Sequence, residues 1–520
     1  MRTWGPLTAV CLGTFMLLLD VTIVVVALPD VARSLHASLS DLQWVVDGYA
    51  LALAALLLGF GAAADVLGRR RVHVAGLVVF ATASLLCGLA GGAGTLVAAR
   101  AVQGVGAAAM LATTLPLLGS VYQGRRRSVA LGVWGAVSGG AAAVGPVLGG
   151  VLTEGPGWRW IFFVNLPVSV AAVWLTLRVV PESHGLRVVP ESQGPRGVGV
   201  PPRGRSRAWG SIDWLGTVAF AAFAGGVTYG VVRAGENGWG ATPTLASFAF
   251  AALALVCFVL VERRVAHPLL DPALLRKPAF VGVMAGGLAF NGVAFGGTPY
   301  LSIWLQTVLG MSPVRGGLTL LPLTGAAVVV SVLAGKLLHG VPARLTIGGG
   351  LLLIGTGCFC QAVLGAGSDW TALVPGLVLV GVGTGLVAPG LAGAALAAVP
   401  AERAGMAGGA VNTVRQLGYA LGVAVSGTVL TSRMRDTLPH DAAHTLAGGG
   451  AGALRGAFSE HVLRAAFASG LDRAFVTAGF VGTAAGTLVL VLVGAGRAER
   501  GGVTESGARA LSEEETASSG

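Results

Sequence analysis

The chain has 520 residues, 54% of them hydrophobic and only 11% charged, where a soluble domain carries roughly 25% charged residues. With a mean hydropathy of +0.78 this composition excludes a soluble globular domain and points to a polytopic membrane protein. Its 83 glycines show no Gly-X-Y period, which excludes a collagen-like rod and suits helices packed through small residues.

Apolar stretches of about 20 residues, long enough to cross the roughly 30 Å hydrocarbon core, recur about fourteen times. They fall near 7–28, 42–63, 72–91, 94–117, 129–152, 161–178, 212–233, 244–262, 280–306, 314–337, 345–365, 371–397, 406–431 and 473–495. The first is too long for a signal-peptide core and lacks a convincing A-x-A cleavage site, so it is expected to stay. With the N-terminus inside, 23 Lys and Arg fall in inside loops and 9 in outside loops, while Arg100 and Arg415 lie within spans. The net charge of +11 therefore reads as positive-inside topology with both termini cytoplasmic, and no nucleic-acid role is expected. All five cysteines sit in predicted spans and read as small apolar residues, with no metal site implied. No G-x-x-x-x-G-K-[ST] loop is present, so the chain has no ATPase motor of its own.

The spans divide into a six-helix bundle over 1–178, a polar linker over 179–211, two further spans over 212–262, and a basic linker over 263–279. A second six-helix bundle follows over 280–497, with an outside loop near 432–472, and a Gly/Ser/Glu-rich tail over 498–520 reads as disordered. The first linker contains a tandem repeat, "LRVVPESHG" followed by "LRVVPESQG" (177–194), best read as a duplication in a tolerant segment. In the outside loop, His440, His444 and His461 read as solvated, and "AFSEHVLRAAFASGLDRAF" as an interfacial amphipathic helix. Two pseudo-symmetric halves suggest a transporter that binds its substrate at the midplane between them.

Several spans carry polar residues that are costly in lipid. Asp20 interrupts "TFMLLLDVTIVVVALP", where an aspartate costs about 2.5–3.5 kcal/mol at the centre of a membrane helix. The loop "GAAADVLGRRR" holds Gly61, Asp65, Gly68, Arg69 and Arg70, a tight turn with a carboxylate and guanidiniums able to latch two halves. Arg100 and Gln103 open "RAVQGVGAAAML", and an arginine there needs a partner. In "AVGPVLGG", Gly145, Pro146, Gly149 and Gly150 combine a helix-kinking proline with close-packing glycines.

The loop resembles the signature of the major facilitator superfamily, with Ala63 and Val66 departing from it. The fourth and fifth spans are similar to that family's arginine motif and antiporter motif. "LDVTIVVVALP", "WRWIFFVNLP", "VERRVAHPLLDPALLRKPAF" and "GAVNTVRQLGYALGVAVSGTV" resemble the fourteen-span drug/proton antiporter branch. The resemblance implies an all-α polytopic fold of two six-helix bundles plus two inserted helices. It also implies proton-driven export of bulky drug-like compounds, with Arg100 linked to proton coupling. Val25 replaces the usual Asn of the first-helix signature, and "GKLLHGVPAR" looks like a decayed second-half latch with His339 where an acid might stand.

Asp47 and Arg100 enter from the same side to similar depth, roughly 9 Å at 1.5 Å per residue. The expectation is that Asp20 and Asp47 bind the proton and Arg100 tunes them, Asp20 also touching a cationic substrate. The alternative for each acid is a buried partner that fixes packing, the more so for Asp47, placed nearer the surface. Candidates for an aromatic and polar cavity are Trp44, Tyr49, Trp134, Asn291, Tyr300, Gln306, Asn412, Arg415 and Gln416. Arg415 suits either an anionic substrate or carbonyls between helices.

The reading is a proton-coupled antiporter exporting bulky amphipathic drugs or antibiotics across a bacterial cytoplasmic membrane. It needs no cofactor beyond the proton gradient and no metal, and works in the bilayer as a monomer on a small-molecule substrate. Rival readings are an exporter of one metabolite, such as a siderophore or amino acid, and a transport-inactive membrane sensor. A membrane enzyme lacks support, with no G-x-S-x-G and no metal-ligand spacing.

Overall fold

The computed structural model describes residues 4–182, 213–265, 273–337, 341–397 and 404–517, so residues 183–194 of the tandem repeat, and His339, lie outside it. Every element among the described residues is helical. The first six long helices are α1 (Gly5–Leu35), α2 (Leu39–Leu67), α3 (Arg69–Gly88), α4 (Ala93–Val121), α5 (Gly124–Glu154) and α6 (Trp160–Val179). The inserted pair is α7 (Trp214–Asn237) and α8 (Thr242–Glu262). The second six are α9 (Pro278–Val308), α10 (Pro313–Ala334), α11 (Ala343–Gln361), α12 (Trp370–Ala395), α13 (Ala404–Met434) and α14 (Glu460–Ala517).

Thirteen of these are long and apolar enough to cross a membrane. The remaining helix, α13, has 31 residues, but Asn412, Arg415 and Gln416 dilute its hydropathy. Ends are set locally. Ser38 and Asp41 form a reciprocal capping box at the start of α2, and prolines open α8, α9 and α10 where a missing N–H is harmless. Burial ranks the helices by place: 72% of the apolar window of α1 is enclosed but only 17% of that of α8, which faces lipid.

Within the first half α1 packs on α5, and α4 on α2 and α3; within the second α11 packs on α12 and α14, and α9 on α13. The halves meet along two seams, α5 with α10 and α2 with α13. The inserted pair is joined to the bundle through α7, which lies against both α2 and α13.

The last helix differs from the sequence reading. It begins at Glu460, so the stretch read as an interfacial helix is the start of the final span. Its charges hid it: Glu460 and Arg464 pair at 3.0 Å along one face, and Asp472 turns inward to accept the Leu364 N–H at 2.9 Å. The helix also runs through Ala517, where a disordered tail was expected; the Ala, Glu and Arg content there favours helix over coil.

Candidate functional site

The face of the bundle that holds the α2–α3 loop is here the near face, and the opposite one, with the α1–α2 turn, the far face. Asp20 and Arg100 meet inside the first half at 2.6 Å, 0% and 2% exposed. The same Arg100 Nη1 donates to Gln103 Oε1 at 2.6 Å, and Arg100 Nε donates to the Val45 carbonyl at 3.0 Å. The other oxygen of Asp20 accepts from Gln103 Nε2 at 2.8 Å and from Asn165 Nδ2 at 2.9 Å. Ser84 Oγ closes the group, accepting from Gln103 at 2.8 Å. Tyr49 lies under the guanidinium at 4.3 Å, so this cavity candidate is a stacking partner of Arg100. The carboxylate of α1 thus takes donors from α4 and α6, and α2 and α3 complete the network around Arg100 and Gln103. A buried ion pair keeps its charges only when the remaining lone pairs and protons are also met, and here they are.

Asp47 is elsewhere. It is fully buried, and neither carboxylate oxygen has a hydrogen-bond partner, although the sequence placed it nearer the surface. One turn earlier on the same face of α2, Gln43 donates to Tyr300 Oη of α9 at 2.8 Å, and Tyr300 donates to the Val423 carbonyl of α13 at 2.8 Å. Asp47 therefore sits just inside a bridge between the halves.

The seam is closed at the far face. A side chain at Gly150 would meet the Pro313 carbonyl oxygen at 2.6 Å, and Gly317 lies directly on the Pro146 carbonyl. Glu154 accepts the Val314 N–H at 3.2 Å, and Gln306 donates to the Val26 carbonyl at 2.8 Å. Further down the same face of α5 the contact thins: a Cβ at Gly139 would lie 3.4 Å from Val328, and one at Gly135 or Gly132 would meet nothing within 4 Å. The halves are apposed at the far face and parted along α5 and α10 toward the near face. Gly145 and Gly149 back onto Thr22 and Ile23 of α1.

The near-face loop pairs within its own half. Asp65 accepts from Arg69 at 2.8 Å, and Arg69 also reaches the Pro116 carbonyl at 3.4 Å. Glu182 accepts the Arg70 backbone N–H at 3.1 Å and lies 3.6 Å from both the Arg70 and Arg71 guanidinium nitrogens. Gly68 adopts φ 104, a left-handed conformation that favours glycine, and Gly61 meets nothing within 4 Å.

The remaining cavity candidates divide. Trp44 is tilted against Tyr229 of α7 at 6.2 Å, and Trp134 Nε1 donates to Thr14 at 3.1 Å. Gln306 belongs to the far-face seal. Asn291, Asn412, Arg415 and Gln416 cluster on α9 and α13, with Asn291 donating to Gln416 at 3.3 Å and Arg415 donating to Asn412 at 3.4 Å. A cavity of about 750 Å³ at the far face, lined by Trp239, Arg433, Asp436, Asp472 and Arg473 among others, contains none of these residues.

A strap covers the far face between α13 and α14. Its helix, His440–Ala447, spans both halves: Gly448 closes on the Leu39 backbone and Gly449 on Thr307. His444 is not solvated as expected; its Nε2 meets Arg435 Nη2 at 2.6 Å. Arg435 also binds the Gly235 carbonyl, and His440 faces the Glu236 carbonyl at 3.1 Å. Burial, then the charges of Arg435 and His440, hold His444 below the usual histidine range.

Ser84, Asn165, Gln43 and Tyr419 were not among the sequence candidates. Asn165 stands in the quoted "WRWIFFVNLP" and Tyr419 in "GAVNTVRQLGYALGVAVSGTV"; Ser84 and Gln43 carry no signal beyond being polar in a span.

Residues 10–423 match the family description Major Facilitator Superfamily. The chain belongs to the major facilitator superfamily. It is 33% identical to the tetracenomycin C resistance and export protein of Streptomyces glaucescens, over 94% of this chain and 91% of that one. It is 37% identical to the puromycin resistance protein pur8 of Streptomyces alboniger, over 83% and 82%. A bacterial homologue of the human lysosomal transporter Spinster shares the fold, with a TM-score of 0.62 and 16% identity over 95% and 97%. In superfamily terms α1–α6 and α9–α14 are the two bundles, and α7 and α8 are the insertion of the fourteen-span branch.

Proposed function

We propose that the chain is a proton-coupled exporter of bulky amphipathic drug-like compounds, working by alternating access as a monomer in a bacterial cytoplasmic membrane. The near face is cytoplasmic, because the loops assigned to it hold 23 of the Lys and Arg residues against 9 on the other side. The export direction draws support from relatives whose names include resistance and export. With the far face sealed and α5 and α10 parted below it, while α2 and α13 still touch at Leu58 and Gly409 and at Ala54 and Thr413, substrate reaches this conformation from the cytoplasm along α5 and α10.

The observation that carries the coupling is Asp47, buried at the join of the halves with no donor on either oxygen. A carboxylate held there without a partner costs several kcal/mol, so the group carries its proton while the far seam is shut. Parting of the Gln43–Tyr300 bridge opens Asp47 to the outside, where it loads; closing returns it inward, where arriving substrate or water displaces the proton. Asp20, with three donors, is held against Arg100 and ties together the helices against which the rocking occurs. The proton role expected of Asp20 and Asp47 together thus passes to Asp47 in this state.

The test uses purified protein in proteoliposomes with an internal pH dye, an imposed proton gradient, and a panel of lipophilic cations, anthracycline-like and macrolide-like compounds. Substrate-triggered proton movement in wild type, lost in Asp47→Asn with substrate binding retained, is the expected result. Proton movement preserved in Asp47→Asn but lost in Asp20→Asn would return the coupling to Asp20. Silence across the panel would sink the broad-exporter reading.

A further inference from the structure

α13 packs on α9, α2 and α7, and toward the far face on α14, whose Gly470 lies against Leu430 and Met434. Gly418 and Gly422 lie on the α9 backbone, Gly409 and Gly427 on Leu58 and Gln43 of α2, and Thr428 donates to the Val231 carbonyl of α7 at 3.0 Å. Asn412, Arg415, Gln416 and Tyr419 recur at helical spacing and share the sector left between α2 and α9. That sector looks into the space between the halves.

Arg415 is the unusual member. It is half-buried, yet no carboxylate of the described residues pairs with it, whereas Arg100, on α4 of the first half, holds Asp20. Its Nη1 makes one hydrogen bond, 3.4 Å to Asn412 Oδ1, and its Nε is buried with no acceptor. The guanidinium lies 5.2 Å over the Phe290 ring. Beside it Asn291 Oδ1, also buried, is unpartnered. A guanidinium withdrawn from water without a counter-charge is expensive, and the fold could have satisfied it with an acid as it does at Arg100. Its planar fork matches a carboxylate or enolate bidentately and stacks on aromatic faces, and a ring already lies beneath it.

We propose that Arg415 is the specificity-determining residue of the cavity and takes acidic aromatic substrates, with Asn412, Asn291 and Phe290 completing a subsite for an anionic group on a flat ring system. This rests on the exporter reading above and gives that site its substrate class. Because Arg415 holds no proton carrier, it acts on which compounds bind, while Asp47 acts on what drives them.

The experiment measures equilibrium binding to the full-length detergent-purified protein by tryptophan fluorescence, with no proton gradient. The probes are an anthracene carboxylic acid and its methyl ester. Wild type is expected to bind the acid at least tenfold tighter than the ester. Arg415→Gln is expected to lose that preference and leave ester affinity within twofold, with Arg415→Lys in between. Sodium phosphate and chloride at matched ionic strength should leave acid binding unchanged. No preference in wild type overturns the proposal even if a variant fails to fold. So does an equal loss of acid and ester in Arg415→Gln, the mark of a packing role, and so does displacement by phosphate or chloride, which would assign the site to an inorganic anion. Export in proteoliposomes is read separately: wild type that binds the acid selectively but moves no compound fails the exporter reading, not this one.

Discussion

Thr22 of α1 occupies the space that a side chain at Gly145 of α5 would need. The contact lies two residues from Asp20, so the helix that seals against α10 is backed directly by the helix that carries the buried acid. Gly149 extends it, a Cβ there falling 2.8 Å from the Ile23 carbonyl. Alanine at Gly145 must push α5 off α1, and overpacking of this kind costs about 1–3 kcal/mol. Gly145→Ala is expected to lower the melting temperature in detergent and to raise passive proton leak in liposomes. Gly132→Ala on the same helix, with nothing within 4 Å, should melt no lower than wild type. Equal behaviour of the two would show that the Thr22 contact is not a tight one.

The two buried acids should separate in stability measurements. Removing Arg100 breaks a buried ion pair, which costs about 3–5 kcal/mol. Arg100→Lys recovers little of it, since one ammonium cannot reach Asp20, Gln103 and the Val45 carbonyl together as the guanidinium does. Asp47 has no partner to lose, so Asp47→Asn is expected within about 1 kcal/mol of wild type. Thermal unfolding of the two purified variants gives the order; a melting loss in Asp47→Asn as large as that in Arg100→Lys would mean that Asp47 has a structural partner.

Glu182 gives the near-face loop its anchor. Its carboxylate accepts the Arg70 N–H in the first turn of α3, where a negative charge is favoured by the helix dipole, and it lies beside two arginines. Glu182→Gln keeps the acceptor and removes the charge; a loss of about 0.5–1 kcal/mol is expected for these part-exposed groups. Gly68→Ala should cost more, since its φ of 104 is strained for alanine and a Cβ would meet the Glu182 carboxylate at 2.6 Å. Melting curves in low and high salt check both: the Glu182→Gln difference should shrink with salt, the Gly68→Ala difference should not.

Much of this was legible because lipid makes polar residues conspicuous. Asp20 and Arg100 stood out as charges in apolar runs, and the cost of burying either alone implied the other. All fourteen helices followed from length and hydropathy, except where charge interrupted them, as at Glu460, Arg464 and Asp472. What did not show was partnership. Asn165 and Gln43 are neutral residues whose importance comes from partners 145 and 257 positions away, Ser84 meets Gln103 only because α3 and α4 pack together, and Tyr419 looks like any packed aromatic. Asp47 was found, but its isolation was not, because spacing along one helix says nothing of what the facing helix lacks. Glu182 was hidden inside a repeat that reads as linker.

The far-face strap should loosen in acid. His444 bonds Arg435 only while its ring is neutral, and Arg435 in turn holds the Gly235 carbonyl of α7. The charged groups around it are Arg435 and His440, which oppose protonation, and Glu236 and Asp441, which favour it; burial is the largest influence, and the net effect holds His444 below its ordinary 6.5. Freed of these contacts the ring protonates near 6.5, so below that pH the open strap binds more protons than the closed one and the closed form loses stability as pH falls. Above about pH 7 no dependence is expected. Hydrogen exchange of residues 435–459 should therefore be slow and constant from pH 7 to 8, after correction for the intrinsic rate, and accelerate as pH drops through 6 toward 5. His444→Gln, which keeps an acceptor for Arg435 but cannot titrate, should flatten the acid limb. Since the strap bridges Leu39 of the first half and Thr307 of the second, its release at low pH removes a tie between the halves at the far face. Acceleration that persists unchanged in His444→Gln would remove His444 as the sensor.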